Sequence, residues 1–71
     1  MRTISYNPLW KKLIDVKLTK TELAEKAGIG RSTIAKMGRN EIVSLDIIVR
    51  ICNFLNCEIY DVIELTLDSS K

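Results

Sequence analysis

Histidine is missing altogether from this chain of 71 residues, which holds only two cysteines, one proline and three glycines. Without histidine, Cys52 and Cys57 have no partners to complete a four-ligand zinc set, so no metal site is expected and both read as free thiols, Cys52 on an apolar helical stripe and Cys57 near the surface. The same absence removes the commonest general base. Neither cysteine has a predictable base beside it, the carboxylates are spread over wet helix faces, and no glycine-rich phosphate loop follows a strand, so no enzyme activity and no cofactor or small-molecule ligand are expected. No apolar run approaches the roughly 20 residues of a membrane span, and the start is not signal-like, which gives a cytoplasmic, membrane-independent protein as the expectation. A chain this short buries only about 60 % of its unfolded surface, which fits one domain, residues 1–71, with a small stability margin.

What is present is a lopsided charge. Residues 1–40 carry nine Lys or Arg against three Asp or Glu, whereas residues 41–71 carry two against six, so a net charge of only +2 conceals a dipolar molecule. Such a chain can approach a polyanion with one half while the other faces away.

Periodicity divides the chain into helices. Asn7 can cap a first helix over Pro8–Val16, with Leu9, Trp10, Leu13 and Ile14 on its inner face and Lys11, Lys12 and Asp15 outside. Trp10 at helical spacing beside three aliphatics reads as core rather than as a stacking platform. Thr19 and Glu22 form a capping box, so a second helix starts at Lys20 and ends at Gly28, which can turn left-handed. Gly30 opens a third helix over Arg31–Met37 with Ile34 and Met37 inward, and Ser44 caps a fourth, Leu45–Leu55. The fourth has one apolar face of Leu45, Ile48, Val49, Cys52 and Leu55 and another of Ile47, Ile51 and Phe54, so it requires cover on two sides. A short fifth helix at Ile59–Ile63 can supply part of that cover. Residues 2–6 and 64–68 alternate at strand period and are expected to pair with each other, or across a dimer; residues 68–71 read as a frayed tail.

The segment from Lys20 to Met37 has the spacing of a helix-turn-helix: Leu23 and Ala27 inward, small Ala24 where two helices nearly touch, Gly28 at the turn, then Ile29, Ile34 and Met37 locking the second helix in place. The runs Thr21-Glu22-Leu23-Ala24-Glu25-Lys26-Ala27-Gly28 and Gly30-Arg31-Ser32-Thr33-Ile34-Ala35-Lys36-Met37 resemble those of the Cro/C1-type helix-turn-helix regulators of phage and bacteria. The resemblance extends over residues 19–57, and it implies an all-α, compact, five-helix, lambda-repressor-like domain that binds double-stranded DNA, most simply a repressor occupying an operator.

On that resemblance the third helix enters the major groove. Arg31, Ser32 and Lys36 project from its outer face with Thr33 beside them, making these four the base-contacting candidates, and Arg31 can offer two parallel donors to one guanine. Lys20 and Thr21 at the second helix's first turn, and Arg39 and Asn40 beyond the third helix, are the phosphate-contacting candidates. Gly30 stands where relatives often place a capping Ser or Thr, and Gly38 follows the helix directly, which suggests a softer probe. A recognition helix this short reads few base pairs, so the family pattern implies a homodimer, with Ile47, Ile51, Phe54, Ile59, Val62 and Ile63 or the terminal strands as its surface. Consumption of those side chains inside the core is the competing reading. So is a protein-docking role, such as an antitoxin-like partner, although docking alone has no need of the basic first half.

Overall fold

A computed structural model describes residues 1–67. In chain order it contains strand β1 (Arg2–Ser5), helices α1 (Asn7–Val16), α2 (Lys20–Ala27), α3 (Arg31–Gly38) and α4 (Leu45–Leu55), a single 3-10 turn (Ile59–Asp61), and strand β2 (Glu64–Leu67). The two strands pair with each other, antiparallel, with Arg2 opposite Leu67 and Ser5 opposite Glu64. The expected tail at residues 68–71 lies outside the described residues.

Local chemistry sets most boundaries. Thr19 Oγ1 accepts the Glu22 amide at 3.1 Å while Glu22 Oε1 accepts the Thr19 amide at 2.9 Å, the reciprocal box that starts α2. Those bonds hold the Glu22 carboxyl below the usual glutamate range, chiefly through the Thr19 amide. Gly28 ends the helix at φ 71°, ψ 38°, and Ser44 Oγ accepts the Ile47 amide at the start of α4. Asn7 is not the cap of α1: it is already helical, and Ser5 Oγ accepts its amide at 3.2 Å instead. The buried Ser5 hydroxyl thus joins the end of the ribbon to the first helix.

The core is a cluster of Tyr6, Leu9, Leu13, Leu23, Ala24, Ile29, Ile34, Met37, Ile48, Ile51 and Val62. Tyr6, expected only as the end of a strand, is fully buried at its centre and donates its hydroxyl to the Glu41 carbonyl at 2.6 Å. Three expectations fail here. Ile14 is 75 % exposed, because Leu9 and Leu13 form the line that meets the core and Ile14 sits a further 100° around α1. Leu45 and Val49 are likewise exposed: α4 buries a single stripe, Ile48 and Ile51 flanked by half-buried Ile47, Cys52 and Leu55, between α2 and the 3-10 turn. The fifth helix is only that turn. Glu58 accepts and donates in its own small capping box with Asp61, and two residues after the turn Ile63 leaves for β2, whose Glu64 must meet Ser5. The pull of the ribbon therefore outcompetes a second helical turn built on β-branched Ile59, Val62 and Ile63.

Cys52 and Cys57 are both half-buried, rather than one inside and one outside. Burial raises the pKa of each thiol, so both stay protonated near neutral pH. Among the described residues no group of three or more Cys, Asp or Glu is arranged to hold a metal ion.

Candidate nucleic-acid interface

The geometry of α2 and α3 follows from three contacts. Ala24, 3 % exposed, lets the helices approach closely; the Ile29 amide bonds the Ala24 carbonyl at 2.8 Å, folding the turn back on α2; and Ile34 and Met37 are buried beneath α3. Arg50 of α4 clamps the turn from below, its guanidinium donating to the Gly28 carbonyl at 3.1 Å. Leu23, Ala24, Ile29, Ile34 and Met37 are thus brought together in one core, with half-buried Ala27 packed against it.

Anchoring α3 on Ile34 and Met37 leaves Arg31, Ser32, Ala35 and Lys36 exposed on its other side, with Thr33 half-buried at the edge. With its side chains an α-helix is about 10–12 Å across, which the roughly 12 Å width of the B-DNA major groove admits. Arg31 points to solvent; its nearest carboxylate, Glu25, lies 4.0 Å away, and both side chains are too exposed for that pair to hold it. Gly30 opens the helix with no side-chain cap, so α3 starts on backbone bonds from Thr33 and Ile34 to the Gly30 carbonyl alone.

The phosphate candidates fall into two groups. Lys20 and Thr21 sit on the first turn of α2. There Glu22 and Leu23 donate to Thr19, and among the described residues the amides of Lys20 and Thr21 have no protein acceptor. Lys20, Thr21, Ala24, Arg31, Ile34 and Ala35 line one shallow cleft between α2 and α3, so the structure joins the first phosphate candidates to the first base candidate. The second group is differently placed. Arg39 is bound by Glu41, Nε to Oε2 at 2.6 Å, and Asn40 adopts φ 57° to end α3, its Oδ1 accepting a long 3.4 Å bond from the Tyr6 amide. Asn40 therefore has structural work of its own, and Arg39 has a competitor.

Of the contacts that sequence reasoning missed in this region, one ties α1 to α2. The Lys20 ammonium lies 4.3 Å from the centroid of the Trp10 ring, so the half-buried indole has its outer face under a cation of the neighbouring helix. Gly38, the last residue of α3, also approaches: a Cβ there would stand 4.0 Å from Lys20 Nζ. Nothing in a 3.6-residue pattern links positions ten apart across a turn. The dimer candidates are also sorted by the structure, since Ile51 and Val62 are fully buried in the protomer, Ile47 and Ile63 are half-buried, and of the six only Phe54 and Ile59 are exposed.

Comparison with known proteins agrees with this geometry. The model of the Cro/C1-type helix-turn-helix DNA-binding domain matches residues 8–68. The crystal structure of the transcriptional regulator VanUg superposes with a TM-score of 0.91 at 48 % identity, covering 94 % of this chain and 89 % of that one. No curated protein sequence matches. The family model, which spans most of the chain, places it in the Cro/C1-type helix-turn-helix DNA-binding family, and the solved structure it resembles at 48 % identity is that of a transcriptional regulator.

Proposed function

We propose that residues 1–71 act as one sequence-specific DNA-binding unit, a transcriptional repressor that occupies an operator and reads the major groove with α3. The observation that carries this reading is the exposed row of Arg31, Ser32 and Lys36 on a helix anchored by buried Ile34 and Met37, beside the two unpaired amides of α2. Arg31 is the principal base reader, through two parallel donors to a guanine; Thr33 can touch a thymine methyl, and Ser32 and Lys36 contribute along the same face. Lys20, Thr21, Arg39 and Asn40 hold the backbone on either side and set the register without reading sequence. The family is generally non-enzymatic, and no catalytic step is assigned.

A homodimer would double the few base pairs that α3 can reach. Its most suitable surface is the terminal-strand side, one of the two expected from the sequence, where Ile42, Leu45 and Leu65 are exposed around Ile4, Val43 and Ile63.

Selection of bound sequences from a random duplex pool tests the whole reading: a palindromic winner with half-sites about one helical turn apart is expected. Replacing Arg31 with Ala should relax one base position per half-site. Affinity for a random duplex that does not respond to salt would overturn DNA binding itself.

A further inference from the structure

We propose that Trp10 is a positioning residue for DNA-backbone binding, its indole face fixing the Lys20 ammonium where a phosphate is to be gripped; this rests on the DNA-binding reading above. Lys20 is exposed on a flexible four-carbon stem, and a free lysine at that place would have to be ordered each time DNA bound. The ring removes that need. At 4.3 Å from the centroid, well inside the roughly 6 Å limit of a cation–π contact, the ammonium is oriented by the ring quadrupole.

An aromatic face differs from a carboxylate in what it leaves behind. The Arg39–Glu41 pair orients its cation by offsetting its charge, whereas Lys20 joins no ion pair among the described residues and keeps its full charge for an anion. The ring itself is held: Trp10 packs on the core and lies 6.5 Å from the Tyr6 ring at 53°. The grip therefore has three parts on three segments, the indole of α1, the ammonium and open amides of α2, and the last turn of α3 at Gly38.

A double-mutant cycle on the full chain tests this, using a labelled random-sequence duplex at low salt with melting curves recorded for each variant. Lys20→Gln should weaken binding and flatten the salt slope by about 0.9 per protomer. Trp10→Leu should weaken binding about two- to fivefold, the effect of an exposed cation–π contact, and should weaken it no further when Lys20→Gln is already present. Trp10→Phe, which keeps a ring and fills the core, should recover most of the loss and remains informative if the leucine variant unfolds.

A merely structural Trp10 would lower affinity equally in both backgrounds. That result, or wild-type affinity in Trp10→Leu, or no effect of Lys20→Gln, would overturn the proposal while DNA binding stands. Salt-insensitive binding by the wild-type protein would overturn the DNA reading and this proposal together.

Discussion

Gly28→Ala isolates the backbone at the helix-turn-helix corner from everything packed around it. The Cβ it adds would meet no atom within 4 Å, so the substitution has no steric component, and its effect follows from φ 71° alone. Placing an L-residue in the left-handed region costs about 1–2 kcal/mol, and the stiffer unfolded alanine chain returns about 0.4–1 kcal/mol of that. The net loss is about 1 kcal/mol, or about 4–8 °C in Tm for a domain of this size. Lys17 supplies the mirror experiment. It ends α1 at φ 61°, and the bonds that close that turn come from the backbone amides of Lys17 and Leu18, which a glycine retains. Lys17→Gly should therefore raise Tm by a few degrees where Gly28→Ala lowers it. Far-UV circular dichroism melts of the two variants are sufficient, with Gly28→Asn expected between wild type and Gly28→Ala because asparagine tolerates this region. A neutral Gly28→Ala, or a destabilised Lys17→Gly, would show that backbone conformation does not set the stability of these corners; a loss above about 3 kcal/mol would mean the turn has no room for the methyl.

Glu41→Gln removes the partner that binds Arg39 at 2.6 Å, and if Arg39 grips phosphate the variant should bind random duplex about two- to fivefold more tightly, as expected of a surface ion pair worth under about 1 kcal/mol. Gly38→Ala lies in helix with an unstrained φ and only an ordinary 4.0 Å contact, so it should stabilise the domain by about 0.4–1 kcal/mol in a urea titration. Tyr6→Phe removes the 2.6 Å bond to the Glu41 carbonyl and should lose about 1 kcal/mol at neutral pH. Burial raises the Tyr6 pKa above its usual value of about 10, so the folded state holds that proton more tightly; the stability this supplies is complete below the unfolded pKa and disappears as pH rises through the folded one. The phenylalanine variant should therefore show a shallower alkaline limb in its stability-against-pH curve.

Most of what depended on a residue and its near neighbours in the chain was legible in the sequence, the expected Asn7 cap of α1 being the exception. The Thr19–Glu22 box, the Gly28 corner, the Ser44 cap and the four α-helices with their bounds to within a residue all follow from chemistry within four positions. The pairing of the terminal strands was also legible, since two short alternating segments have few other ways to satisfy their amides. Expectations that required knowing what lies opposite fared worse. Apolar Ile14, Leu45 and Val49 read as core, yet a domain with four short α-helices and a small ribbon has too little material to cover every apolar face. Tyr6 shows the converse, because nothing in a strand-like Arg2-Thr3-Ile4-Ser5-Tyr6 marks its last side chain as the centre of the core, bonded to a carbonyl 35 positions later. Of the candidate site, which residues share the exposed face of α3 could be read in advance. How each cation is held could not.

That last difference bears on how affinity and specificity are divided. Three of the four cations assigned to the proposed DNA surface stand in three different states: Arg31 almost unencumbered, its nearest carboxylate 4.0 Å away; Lys20 oriented by a ring but still carrying its charge; Arg39 engaged by Glu41 at 2.6 Å. A cation that must first surrender a carboxylate contributes less to affinity, because the gain from phosphate is reduced by the pair it breaks, while an oriented and unpaired one delivers nearly its whole attraction. On the proposed reading Lys20 should dominate non-specific, salt-sensitive binding and Arg31 the choice between sequences, with Arg39 a weaker second grip that strengthens only when Glu41 is neutralised. Affinity would then reside on α2, where the capping box and the indole fix the geometry beforehand, and discrimination on α3, where Arg31 stands exposed and free of a close carboxylate.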